Sequence, residues 1–314
     1  MKTVVLNAAK WNWDGALDLS SLSDAVTVFD GSGPEEIVLH SAGAAVLVSK
    51  ELPLPAAVIA ALPESVKLIC EAGTGYNNID LAACREKGIT VCNTPAYSTE
   101  RVAHTAIALL LGLSSGLRRQ MAMLARGDRS NFTQHLQVSH TEVNGKTLGV
   151  VGFGHIGGEV GKIALALGMR VLAYSRTEKS VPGVTFTDLD TLLAESDYLT
   201  LHCPLNGQTR HLLDAAAIAR MKDGACVINT GRGALIDEPA LIEALRSGKL
   251  SGAGLDVQET EPPEADSPLY TMENVILTPH MGWKGLETRQ RLAGIVRDNI
   301  VAFEKGSPIN AVSL

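Results

Sequence analysis

Three residues suited to binding a carboxylate and moving a proton stand late in the chain, each just beyond a short apolar run. Arg232 follows Val227–Asn229, Glu261 follows a run ending at Asp256, and His280 follows Val275–Leu277. A guanidinium binds a carboxylate through two parallel hydrogen bonds, and imidazole exchanges protons near neutral pH. Singly, each has an ordinary reading: Arg232 a solvated loop charge, Glu261 a solvated carboxylate in a Pro-rich acidic loop, His280 a structural histidine. A fourth signal changes their meaning. Apolar Leu148–Val151 leads into Gly152-x-Gly154-x-x-Gly157 and then a helix-forming stretch. Gly152 permits a tight turn, Gly154 admits a pyrophosphate close to the backbone, and Gly157 lets helix and strand touch, so this segment predicts dinucleotide binding.

The next apolar run, Met169–Tyr174, ends where such a fold tests the adenosine ribose. An acidic residue there would hold the 2′-hydroxyl and repel a 2′-phosphate, but the chain has Ser175, Arg176 and Thr177. A hydroxyl and a guanidinium suit a phosphate, so NADP is favoured over NAD. Stacking of Arg176 on adenine, with either cofactor, is the other reading.

The elements that position these residues follow from periodicity. Short apolar runs at Val4–Leu6, Val26–Phe29, Ala45–Val48, Leu68–Cys70 and Thr90–Cys92 alternate with helix-like Leu54–Leu62 and Ile79–Glu86, an α/β pattern over residues 1–97. A long apolar helix is expected from Ser98 or Thr99 to Leu113, buried between domains or subunits. From Thr147 the alternation resumes, with strands near 148–152, 170–174, 197–201, 225–229, 252–256 and 274–277, and helices at Gly157–Leu167, Leu189–Glu195, Ala215–Met221 and Pro239–Arg246. This predicts a doubly wound parallel sheet, with ligands beyond the carboxyl ends of its strands, where Arg232, Glu261 and His280 would gather. An amphipathic helix over Gly285–Glu304 closes the chain.

Composition narrows the function classes. The 314 residues carry 27 Lys and Arg against 34 Asp and Glu, a net charge of −7, which argues against nucleic acid or an anionic membrane as partner. No run approaches a membrane span and no secretory leader is evident, so a cytoplasmic location is expected. Five cysteines without a C-x-x-C pair read as small buried hydrophobes, and no cluster has metal-ligand spacing.

The chain resembles the D-isomer-specific 2-hydroxyacid dehydrogenase family over nearly its whole length. The resemblance rests on Glu71–Asp80, Asn93–Pro95, Val102–His104, the glycine fingerprint, His202–Leu205, Asn229–Gly233, Asp256–Pro262 and Pro279–His280. It implies a discontinuous, smaller flavodoxin-like substrate domain, residues 1–97 plus 286–314, and a Rossmann-like NAD(P)-binding domain, 98–285. It also implies that Arg232 binds the substrate carboxylate, that His280 protonates the carbonyl oxygen, and that Glu261 stabilises the imidazolium. Gly73, Thr74 and Gly75 would hold the carboxylate through backbone amides. His155, Ile156, Cys203, Thr230, Gly231, Arg232, Asp256 and His280 would line the cofactor. Ordinary readings of two of these are a core residue for Cys203 and a strand-end hydrogen bonder for Asp256. The family often has Glu or Gln where His104 stands, and a packed interface histidine is expected there. The Glu71–Asn78 stretch and Ser175-Arg176 resemble the glycerate dehydrogenase branch, with hydroxypyruvate and glyoxylate as substrates, and the family resemblance implies a homodimer across the cofactor domain. Glu261 in place of Gln speaks against formate chemistry. A D-lactate or D-3-phosphoglycerate type of dehydrogenase, and a dinucleotide-sensing binding protein on the same fold, are the alternatives.

Overall fold

In the computed structural model, which describes residues 1–177 and 179–312, the chain divides into two compact units, Met1–Ser98 with Trp283–Leu314, and Thr99–Gly282. The first unit begins with β1 (Lys2–Val5), β2 (Ala25–Val28), α1 (Pro34–His40), β3 (Val46–Ser49), α2 (Ala56–Ala61), β4 (Leu68–Glu71), α3 (Leu81–Glu86) and β5 (Thr90–Cys92). The second opens with three helices, α4 (Thr99–Ser114), α5 (Leu117–Ala125) and α6 (Ser130–Thr133). It continues through β6 (Thr147–Val151), α7 (His155–Ala166), β7 (Arg170–Tyr174), β8 (Val184–Phe186), α8 (Leu189–Glu195) and β9 (Tyr198–Leu201). It ends with α9 (Ala215–Arg220), β10 (Ala225–Asn229), α10 (Glu238–Ser247), β11 (Leu250–Leu255) and β12 (Val275–Leu277). A last helix, α11 (Leu286–Glu304), belongs to the first unit.

Both sheets are wholly parallel, in line with the α/β alternation of the sequence. The first has the order β2-β1-β3-β4-β5, the flavodoxin-like arrangement. The second has the order β12-β11-β10-β9-β6-β7-β8, in which the chain starts at the middle and winds outward on both sides, as in a Rossmann sheet. Strand residues alternate between two faces, and each face carries its own core. In the first unit Val5, Val48 and Cys70 pack with Trp283 and with Leu292, Val296 and Ile300 of α11, while Val4, Leu47 and Ile69 face α2 and α3 residues such as Ile59 and Cys84. Asp N-caps start α3, α8, α9 and α10, each carboxylate accepting a backbone N–H three residues on.

Helix α4 packs on α7 and on β10, β11 and β12 of its own unit, where Ala103, Ala106, Leu109 and Leu110 join the core. His104, on its opposite face, is exposed in the single chain. Elements α1 and β8 carry little sequence signal. The former is a seven-residue helix started by Pro34 and a Glu36 carboxylate bonded back to the Gly33 N–H. The latter is a three-residue edge strand with no fully buried position. All five cysteines are free, and four are buried, Cys203 being half-buried. Burial pushes the thiols of Cys84, Cys92 and Cys203 up to about 11, and those of Cys70 and Cys226 up as well.

Candidate active site

In the second unit, register aligns the strand ends. Tyr174, Val151, Leu201, Asn229, Leu255 and Leu277 pair in one row across β7, β6, β9, β10, β11 and β12. The residues that follow them, Ser175, Gly152, His202, Thr230, Asp256 and Thr278, therefore emerge along a single edge of the sheet. This is the carboxyl edge, where open α/β sheets bind ligands.

The glycine turn sits at the middle of that edge. Gly152 has φ +92°, and a Cβ there would lie 2.5 Å from the Cys203 nitrogen, so both conformation and crowding require glycine. At Gly157 a Cβ would fall 2.1 Å from the Gly152 carbonyl oxygen, which is the close helix–strand approach that the spacing predicts. Space around Gly154 is open, since a Cβ there would meet no atom within 4 Å, and no side chain caps α7 behind it. The first N–H groups of α7, from His155 to Gly157, thus lack helical acceptors and face open space suited to an anion. Ser175 is half-buried beyond β7, while Arg176 and Thr177 are exposed, and the Arg176 guanidinium has no partner among the described residues. Lys179, which sequence reasoning passed over, donates to the Phe153 carbonyl within the turn at 3.1 Å. Its position three residues after Arg176 in a polar loop was the only available signal.

Next along the edge, Thr230 has a buried hydroxyl with no hydrogen-bond partner among the described residues. Buried polar groups are rarely left so, and an orphan here fits a bound polar ligand. A dinucleotide therefore fits this edge on three counts: the open Gly154, the uncapped α7 and the unpaired Thr230. Asn229, wholly buried and also missed from sequence, ties the following turn by accepting the Gly231 N–H at 3.0 Å and donating to the Arg232 carbonyl at 2.8 Å. The Arg232 guanidinium donates to the Gly231 carbonyl at 2.9 Å, and its other N–H groups have no acceptor among the described residues. His202 hydrogen-bonds Thr200 at 2.8 Å, and desolvation pushes its imidazole down to about 4, leaving it neutral at neutral pH.

Glu261 and His280 meet directly. Glu261 Oε2 lies 2.8 Å from His280 Nδ1, and Oε1 accepts the Gln258 N–H at 3.1 Å. Nδ1 so engaged leaves Nε2 as the ring nitrogen free to exchange a proton. The loop bearing Glu261 is fixed at its start, where Glu259 accepts from Arg210 at 3.0 Å and pairs with His211 at 2.7 Å. The turn bearing His280 is organised by Asp256, which is 1% exposed. Its Oδ1 accepts the Thr278 hydroxyl at 2.6 Å and the Met281 N–H at 2.9 Å, and its Oδ2 accepts the Gly282 N–H at 2.8 Å. His280 itself has φ +48°, a left-handed backbone that a non-glycine residue adopts at a cost of about 1–3 kcal/mol.

Gly73, Thr74 and Gly75 belong to the first unit, beyond β4. The carbonyl of Gly73 accepts the Thr94 N–H at 3.0 Å, that of Thr74 accepts from the Asn93 amide at 2.8 Å, and the Thr74 hydroxyl donates to the Thr94 carbonyl at 3.1 Å. Three successive backbone N–H groups of this loop have no acceptor among the described residues, the arrangement expected of an anion-binding turn. Beneath it Glu71 is buried, and desolvation raises its carboxyl in spite of bonds from the Glu51 N–H, Asn78 and Ser49 and the charge of Lys50.

Residues 107–282 match the model of the NAD binding domain of D-isomer specific 2-hydroxyacid dehydrogenases. The chain is 37% identical over 326 aligned positions to a hydroxypyruvate reductase of Blautia hydrogenotrophica, covering 100% of both. Among solved structures it is similar to a D-lactate dehydrogenase of Aquifex aeolicus complexed with NAD and lactic acid, with TM-score 0.85, 31% identity, and coverage of 99% of this chain and 100% of that one. An acyclic imino acid reductase in complex with NADPH and D-Arg superposes with TM-score 0.89 at 27% identity, covering 100% of both chains.

Proposed function

The chain belongs to the D-isomer specific 2-hydroxyacid dehydrogenase family, oxidoreductases that work with a nicotinamide dinucleotide, and on that footing we propose that it reduces hydroxypyruvate or glyoxylate to the D-2-hydroxyacid. The observation that carries this reading is the 2.8 Å Glu261–His280 pair on the same sheet edge as the glycine turn and Arg232. Gly152, Gly154 and Gly157, with the N–H groups of His155 and Ile156, would hold the pyrophosphate, and Thr230, Gly231 and Cys203 would flank the rest of the cofactor. When bound, the reduced nicotinamide supplies a hydride to the carbonyl carbon. Arg232 binds the substrate carboxylate and draws electron density from the ketone. His280, protonated and held by Glu261, donates its Nε2 proton to the carbonyl oxygen, so that hydride and proton together complete the alcohol. In oxidation the neutral imidazole accepts that proton back. In the first unit, the amides of Gly73, Thr74 and Gly75, which have no acceptor among the described residues, are donors suited to carboxylate oxygens, and in the second Asp256 holds the His280 turn in place.

NADP is the proposed cofactor of choice, supported by Ser175, the unpartnered Arg176 and the absence of an acidic residue at 175–177. A homodimer is proposed from the apolar side chains that the second unit leaves exposed, Leu117, Met121, Leu124, Phe132 and Leu136, with Phe132 76% exposed. A cytoplasmic setting goes with the five free cysteines. The test is direct: purified protein with hydroxypyruvate, glyoxylate or pyruvate, following oxidation of NADPH and NADH in parallel. Rapid NADPH-linked turnover of hydroxypyruvate is expected. Cofactor binding without turnover of any ketoacid would overturn the reading in favour of a dinucleotide sensor.

A further inference from the structure

Lys50 is among the largest fully buried side chains of the molecule, at 1% exposure, and no step above uses it. It follows the last residue of β3, and Ser49 pairs in register with Glu71 at the end of β4, so Lys50 lies at the carboxyl edge of the first sheet. Its backbone is clamped from both sides by the buried Asn7, whose oxygen accepts the Lys50 N–H at 2.9 Å and whose amide donates to the Lys50 carbonyl at 2.7 Å. The ammonium lies 4.2 Å above the Trp283 ring and 2.5 Å from Glu51 Oε1. Glu51 has φ +55°, a conformation in which its own N–H bonds Glu71 at 2.8 Å.

An ammonium has three N–H donors, and this one has a single hydrogen-bond acceptor among the described residues. Spare donors in so buried a place require another partner. They lie beside the anion-binding turn: a Cβ on Gly73 would be 3.4 Å from Lys50 Nζ and 3.2 Å from Glu71 Oε1. Because Gly73 has no side chain, no atom of that residue covers the spare donors of Lys50 or the remaining lone pair of Glu71 Oε1 on the side of the loop. A ketoacid whose carboxylate rests on the Gly73–Gly75 amides carries its third carbon two bonds from the carboxylate carbon, within reach of the same cluster. The cluster has no positive charge to spare, since Glu51 is paired with the ammonium and Glu71 stands next to it. It therefore suits a neutral group that both accepts and donates better than it suits a phosphate, which would need a cation left unpaired.

We propose that Lys50, with Glu71, is a specificity-determining site that recognises a hydroxyl on the third carbon of the ketoacid. The proposal rests on the ketoacid reductase reading above. It assigns hydroxypyruvate over glyoxylate, pyruvate and 3-phosphohydroxypyruvate.

The experiment compares wild type, Lys50→Met and Lys50→Arg on these four ketoacids under the preferred cofactor. Loss of a hydrogen bond from a charged donor lowers kcat/KM by about ten- to a hundredfold. That loss is expected for Lys50→Met with hydroxypyruvate, chiefly in KM, with a much smaller change for glyoxylate and partial recovery in Lys50→Arg. Equal falls on glyoxylate and hydroxypyruvate would overturn the proposal and make Lys50 a carboxylate binder or a support of the loop. Should Lys50→Met fail to fold, wild type still decides: parity between pyruvate and hydroxypyruvate, or efficient use of the phosphorylated ketoacid, overturns it. Wild type that binds cofactor and turns over none of the four removes the reductase reading itself, whereas turnover with the wrong pattern removes only the role of Lys50.

Discussion

Replacing Asp256 by Asn exchanges one oxygen for an NH2 group in a position that is 1% exposed and already fully engaged. With the amide oxygen on the Oδ1 side, the bonds from Thr278 and Met281 survive and the Gly282 N–H faces an NH2 group. Flipped, the amide satisfies Gly282 and strands the Met281 N–H, while the Thr278 hydroxyl can turn and accept. Either way one buried backbone donor is orphaned, at about 1–3 kcal/mol, and the surviving bonds fall from charge-assisted to neutral, about 1 kcal/mol more. The total is about 2–4 kcal/mol, which in a unit of this size lowers the melting temperature by roughly 5–15 °C. Because the freed turn carries His280, kcat should fall more than cofactor affinity. Thermal melts and steady-state kinetics on the same preparation check both effects. A variant that melts with wild type and retains its kcat would refute the argument that Asp256 holds the proton donor in place.

Other outcomes follow from the same geometry. Glu261→Gln keeps a hydrogen-bonding side chain beside His280 but loses the charge, so kcat for ketoacid reduction should drop about five- to thirtyfold with little change in cofactor affinity, measured by steady-state kinetics and cofactor titration. If the proposed NADP preference holds, Ser175→Asp should turn it toward NADH by repelling the 2′-phosphate, read as the ratio of kcat/KM values for the two cofactors. Asp14 forms a two-bond ion pair with the buried Arg289, at 2.8 and 2.6 Å, and that hydrogen bond first of all holds its carboxyl down to about 2. A depressed carboxyl contributes stability above its unfolded value of about 3.8, lost as pH falls through about 2. The melting-temperature gap between wild type and Asp14→Asn should therefore be constant above about pH 5 and close as pH approaches about 2.

The strand ends were readable from the chain because their residues are chemically distinctive and punctuate strong apolar runs. Gly152, Arg232, Glu261 and His280 each stand where an apolar period breaks, and parallel pairing aligns those breaks. Partners that act through tertiary contact carried no such mark. Asn229 ends a strand as many polar residues do, and its grip on the Arg232 turn exists only once β10 has formed. Lys179 reaches the glycine turn through a bond spanning 26 residues, a separation no local pattern encodes. The burial of α4 was foreseeable and its partner was not, since an apolar helix face is equally satisfied by its own sheet or by another chain. Short elements escape for a related reason: β8 has three residues and an exposed middle position, so neither length nor alternation singles it out.

The state of the cysteines bears on how the protein would meet oxidants. A thiol attacks peroxide, disulfide or alkylating agent as the thiolate, and at about pH 8 a group with a value of about 11 is ionised in about one molecule per thousand. Values of about 11 belong to Cys84, Cys92 and Cys203, and Cys70 and Cys226 are raised as well. Cys203, half-buried against the glycine turn, is held up in the same way by desolvation. At that thiolate fraction the five cysteines should react slowly with mild peroxide or an alkylating agent, thiol reactivity being set by the fraction ionised.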